Sequence, residues 1–186
     1  MTVQRKTSRI VAFALVAALA SAQGVAAASA TQATKALTAR YHSYGQAAGA
    51  GYSAAGEPCV ESPAGAMGVH AVNPWLAGDL TIDPLRPEIL LYLPDGDGEL
   101  QLVGVEYFEV ALANMDSGPA PWFGAGPPPN GFFNPAPSVF GHTFDGPMAG
   151  HNPNMPWHYD LHVWLFAKNP AGMFTMFNPA LACPAG

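Results

Sequence analysis

Apolar residues recur at Ala33, Leu37, Tyr41, Tyr44 and Ala48, at intervals of 4, 4, 3 and 4, which predicts one stripe of an amphipathic helix over residues 31–50. Thr31 or Thr34 is the expected cap of its first turn, because a hydroxyl there accepts from an unpaired backbone N–H. Gly49, Gly51 and Gly56 weaken the pattern, and Pro58-Cys59 marks the change to a different one. Beyond it the apolar segments are short and rich in β-branched and aromatic residues: 67–72, 88–93, 100–110 and 161–167, with a possible fifth at 173–177. The second and third are joined by Pro94-Asp95-Gly96-Asp97-Gly98-Glu99, whose Asp-Gly pairs signal a hairpin turn. A helix followed by such strands predicts an α+β domain, with the N-terminal helix packed on an antiparallel sheet of four to five strands.

Ahead of the helix, Arg5, Lys6 and Arg9 precede an apolar run from Ile10 to Ala20, and small residues lead to Ala28-Ser29-Ala30. Basic residues, a short apolar core and an A-x-A site make residues 1–30 the expected secretory leader, leaving 31–186 as a single secreted or periplasmic domain. The apolar run falls well short of the roughly 20 residues that span a bilayer as a helix, so no stable membrane anchor is expected. Without the leader, the basic residues are Lys35, Arg40, Arg86 and Lys168 against all 13 Asp and Glu. Such an acidic chain excludes nucleic acid as a partner.

Only 11% of the chain is charged, against roughly 25% in an average soluble protein. The leader accounts for part of this, and 20 Gly and 19 Pro for the rest. Ten of those prolines lie between Asp116 and Pro156, interleaved with Trp122, Phe123, Phe132, Phe133, Phe140 and Phe144. Aromatic residues at this density predict a long ordered loop over one side of the sheet rather than a free linker. The two cysteines, Cys59 and Cys183, belong to no C-x-x-C unit and are expected to form a disulfide in an oxidising compartment.

Four of the six histidines, His142, His151, His158 and His162, fall within 21 residues, with Met148 and Met155 among them. Pro147, Pro153 and Pro156 forbid a helix there, so convergence requires the chain to fold back. In an extended strand His158, Asp160, His162 and Trp164 share a face. Imidazole suits copper, zinc and iron, and thioether sulfur adds a preference for copper. From the other strands, His70 is the best additional ligand. Glu106 is expected on one face with Leu102, Phe108 and Val110, and Glu88 on one face with Leu90 and Tyr92, where an uncompensated carboxylate is costly. The expected ligands of a divalent metal are therefore His70, His158 and His162, with Glu106 or Glu88 and with His151 as a further candidate. His42 is expected to be solvated. Neither a G-x-S-x-G elbow nor a phosphate-binding glycine motif occurs.

The blocks Gly65-Ala66-Met67-Gly68-Val69-His70, Pro87-Glu88-Ile89-Leu90-Leu91-Tyr92, Gly104-Val105-Glu106-Tyr107 and Leu161-His162-Val163-Trp164-Leu165, continuing through Asn169-Pro170-Ala171-Gly172-Met173-Phe174, carry a resemblance. The chain resembles a family of uncharacterised secreted bacterial proteins, from about Ala33 to Cys183. The resemblance implies export and a single domain, and it brings no activity with it.

Two functional readings follow, beside that of a purely structural envelope protein with neither metal nor pocket. In one, an exported domain binds copper, zinc or iron between the sheet and the Pro-rich loop, and the metal acts on a small molecule if the protein is an enzyme. In the other, a metal-free module binds a small apolar or aromatic ligand among Trp122, Phe123, Phe132, Trp157, Trp164 and Tyr107.

Overall fold

The computed structural model describes residues 7–128, 133–150 and 154–184, with side chains of the first helix described from Gln23 onward. The chain opens with helix α1 (Thr7–Thr38), a 3₁₀ turn at Ala39–His42 and a short helix α2 (Tyr44–Gly49). Ten strands follow: β1 (Cys59–Ser62), β2 (Gly65–Val72), β3 (Ile89–Pro94), β4 (Leu100–Val110), β5 (Leu112–Met115), β6 (Gly118–Pro121), β7 (Ser138–Val139), β8 (His142–Thr143), β9 (Asp145–Met148) and β10 (His158–Val163). A four-residue helix α3 (Pro74–Ala77) lies between β2 and β3, capped by the Asn73 side chain.

The architecture is α+β, as expected. The main sheet is antiparallel and has six strands in the order β1-β2-β3-β4-β10-β9, more than the four or five anticipated. The additions are the two edge strands. β1 is only four residues long, and β9 (Asp-Gly-Pro-Met) has a composition that strands normally avoid. Conversely, 173–177 forms no strand, and the last central strand ends at Val163 rather than Ala167.

The helix buries a different stripe from the one predicted. Thr34, Thr38, Tyr41 and Ala47 are buried, while Leu37 is 46% exposed. The two threonines manage this because Thr34 Oγ1 donates to the carbonyls of Ala30 and Pro84, and Thr38 Oγ1 donates to that of Thr34. With the hydroxyls satisfied, their methyl groups can face the sheet. Thr31 and Thr34 therefore bond backward within the helix rather than capping it. His42 is exposed, as expected, with its ring edge on Phe166.

One face of the sheet packs under the helices: Val69, Ala71, Leu90, Tyr92, Val105, Tyr107, Tyr159, Leu161 and Val163 belong to this core, together with Tyr41 and Tyr52. The Pro-rich segment covers the same core through Val139, Phe140 and Phe144. It is less irregular than predicted, because β5 pairs with β6 and β7 with β8 as two-stranded ribbons. The opposite face carries a smaller cluster of Ile89, Leu91, Val103, Phe108, Val110 and Trp164.

Glu106 lies on this second face with Phe108 and Val110, but Leu102 does not. Leu91 pairs with Gly104 and Tyr92 with Leu102, so β4 has one extra residue at Val103, and the alternation of sides reverses across it. Cys59 and Cys183 are joined in a disulfide that ties β1 to the C-terminal segment across 124 positions of sequence. Among the described residues, no helix is long and apolar enough to cross a membrane.

Candidate metal centre

Three central strands build the site on the second face. In β4 and β10, Glu106 and His162 are directly paired across the ladder, so their side chains leave the sheet on the same side. Glu106 also pairs with Ile89 of β3, which in turn pairs with Val72 of β2. His70, two residues before Val72, therefore reaches the same face from two strands away. Gly68 sits at φ +94°, and a Cβ there would stand 2.3 Å from the Tyr92 carbonyl. Only glycine lets β2 and β3 approach this closely just before His70.

The three side chains converge on one oxygen. His70 Nε2 lies 3.2 Å from Glu106 Oε2, and His162 Nε2 lies 3.5 Å from the same atom. The imidazole rings of His70 and His162 stand edge to face with centroids 5.9 Å apart. One ligand atom from each residue lies within 4.8 Å of the others, a spacing that can hold a metal ion. Glu106 and His162 are buried, at 3% and 2% exposure, and His70 is half-buried. Both imidazoles lie close to Glu106 Oε2, with His70 the nearer of the two.

The charges are strongly coupled. Burial works to lower the His70 pKa, but the Glu106 carboxylate outweighs it and the net direction is upward. For Glu106 burial pushes upward, but the neighbouring His162 and His70 hold the carboxyl below its usual range. Without a metal, these groups satisfy one another as a buried ion pair.

Asp160, which alternates with His162 along β10, lies beside this group. Its Oδ1 is 3.8 Å from His162 Nδ1 and its Oδ2 is 3.8 Å from His158 Nε2. Burial, followed by the charges of Glu106 and Asp145, raises its pKa. His158 is fully buried on the same face, stacked on Phe108 with ring centroids 5.0 Å apart. It is a neighbour of the triad rather than one of the three converging residues.

The remaining expected residues are placed elsewhere. Glu88 accepts a hydrogen bond from the Phe108 N–H, extending the ladder beyond the start of β3. It lies apart from the triad, and burial pushes its carboxyl up to about 8. Glu88 precedes Ile89, so it follows the parity of Leu90 and Tyr92, on the helix side. His151 lies outside the described residues, as does Phe132. His142 is exposed and stacked on Phe174.

A cavity of about 640 Å³ opens beside the triad, with His70, Glu106 and His158 in its wall. Met67, Val72, Ile89, Phe108 and Met155 supply its apolar lining. Trp122, Trp157, Trp164 and Tyr107 do not line it. The Trp122 and Trp157 ring N–H groups donate to the carbonyls of Gly126 and Gly124, and Phe133 stacks on Trp157. Trp164 donates to the Thr175 carbonyl and Tyr107 to that of Pro84. The N–H and hydroxyl groups of these aromatics are thus bonded to backbone carbonyls, and the four rings lie outside this cavity. Sequence reasoning missed Met67, Ile89 and Phe108 as cavity residues, although the alternation that placed Glu106 also placed Phe108 beside it.

Comparisons with protein-family models, curated proteins and solved structures gave no match for this chain.

Proposed function

We propose that this is an exported domain that binds one divalent transition metal through His70, Glu106 and His162. The observation that carries this reading is the approach of two imidazole nitrogens to a single buried carboxylate oxygen. Two imidazoles and one carboxylate, with coordination positions left over, is the donor set of hydrolytic zinc sites and of non-haem iron(II) sites. It favours zinc or iron over copper, because the thioethers that pointed to copper are not among the three ligands. Met155 lines the cavity, and Met148 of β9 pairs with His158 of β10. Export is supported by the leader-like first thirty residues and by the disulfide, which suits an oxidising compartment. A metal bordering the cavity could polarise a bound carbonyl or activate water there.

Elemental analysis of protein purified from its exporting host tests the reading. One equivalent of metal is expected in the wild type, and its loss in both His70→Ala and Glu106→Gln. Metal-free wild type, or metal retained by both variants, would leave the triad as a structural ion pair. The alternative of a metal-free module for an apolar ligand would then rest on the cavity alone.

A further inference from the structure

We infer that the ligand of this centre is a small molecule with a single donor group at one end and an aliphatic or aromatic body. The inference rests on the metal reading and adds the substrate class. The cavity is strongly polarised. Glu106 and His70, the two metal-facing residues in its wall, contribute polar atoms, and His158 adds an imidazole. Most of the rest of the wall is apolar, with Met67, Val72, Ile89, Phe108, Met155 and Ala77 of α3 its main side chains, and Glu57 and Asn154 add polar groups.

Much of that wall is deep. Met67, Ile89 and Phe108 are 5%, 4% and 8% exposed, so the cavity reaches down to residues of the sheet's second face. Its rim, by contrast, is open: Gly56, Glu57 and Asn154 are exposed. A peptide or a sugar carries polar groups along its whole length, and thioether, aliphatic and phenyl walls leave those groups without partners at a cost of a few kcal/mol each. A molecule that places one donor on the metal and apolar atoms elsewhere incurs no such cost. The volume, about 640 Å³, lies in the range of small-molecule sites.

The test uses the full protein loaded with cobalt(II), whose visible absorption reports directly on its ligands. Acetohydroxamate and benzohydroxamate offer the same donor head and differ in their apolar body. Benzohydroxamate is expected to bind about tenfold more tightly, the effect of burying one phenyl group incompletely. Ala77→Trp, which fills the cavity away from the metal, and Met155→Gln, which makes its wall polar, are each expected to abolish that preference. Affinity for acetohydroxamate should stay within about twofold, and the ligand-free cobalt spectrum should not change.

Equal affinities in the wild type would overturn the inference while leaving the metal reading intact, as would a preference that survives both substitutions. A wild type that develops no cobalt spectrum would overturn both. The wild-type comparison decides the matter even if a variant fails to fold.

Discussion

The two faces of the sheet are made by the same strands and treat buried polarity in opposite ways. On the helix-covered face four phenol hydroxyls each donate to a backbone carbonyl, Tyr52 to Pro87, Tyr92 to Tyr41, Tyr107 to Pro84 and Tyr159 to Asn134, and the Glu88 carboxylate accepts from the Phe108 N–H. On the other face Glu106, Asp160, His70, His158 and His162 lie against one another, so most of their close polar neighbours are themselves ionisable. The first arrangement fixes a scaffold, because a phenol bonded to a carbonyl has one stable protonation state and one geometry. The second concentrates groups whose charge depends on their neighbours, an arrangement that burial penalises unless a proton or a metal compensates it.

Metal affinity should break this symmetry most sharply. Glu106→Gln keeps the shape but removes the anionic ligand, and should weaken metal binding by more than about 100-fold, beyond the range seen for residues that only support a ligand. Tyr107→Phe, at the next residue and on the opposite face, should leave metal affinity unchanged. Calorimetric metal titrations of the two variants check both outcomes. Replacing both Cys59 and Cys183 with Ser should cost about 2–4 kcal/mol in denaturant unfolding, since the bridge closes a loop of more than a hundred residues. Oxidised and reduced protein of equal stability would contradict it. Tyr107→Phe should cost only about 1 kcal/mol, the net worth of one hydrogen bond, measured in the same way.

The smallest effect is the pH dependence of the metal-free protein. Glu106 is held low, so its contribution is present above its ordinary value of 4.5 and is lost as the pH falls through its depressed one. His70 is raised, so its contribution is complete below 6.5 and is lost as the pH climbs through its elevated value. Glu88, pushed up to about 8, loses its contribution as the pH rises from 4.5 through 8. Chelated protein should therefore melt at a lower temperature at pH 9 than at pH 6. Metal binding should reverse the trend between these values, because its ligands must be deprotonated. Parallel melting curves with and without metal would contradict the reversal.

The two faces were also unequally legible in the sequence. Strand alternation put Glu106 beside Phe108 and Val110, Glu88 beside Leu90 and Tyr92, and His162 on one face with His158 and Asp160, because a period of two depends only on local geometry. It failed at Leu102, where an extra residue in β4 reverses the sides, since a bulge arises from pairing with β3 and leaves no mark in β4 alone. The helix stripe failed for a similar reason. Thr34 and Thr38 read as polar, yet their hydroxyls bond within the helix or to Pro84, and the loop that supplies Pro84 lies fifty residues away. Composition shows that aromatics are clustered, not which way they face, and the tryptophans of the Pro-rich segment are absent from the cavity beside the triad. Their ring N–H groups are directed at loop carbonyls. The edge strands were hidden by shortness and by Gly and Pro in β9.

The central claim is most directly tested by anomalous diffraction from crystals of protein purified without chelator, with data collected on either side of the zinc and iron edges. One anomalous peak is expected, about 2.0–2.2 Å from Nε2 of His70, from Nε2 of His162 and from a Glu106 carboxylate oxygen. The contradicting result is full-occupancy protein density with no peak among these atoms, and an imidazole of His70 or His162 hydrogen-bonded to Glu106 in its place.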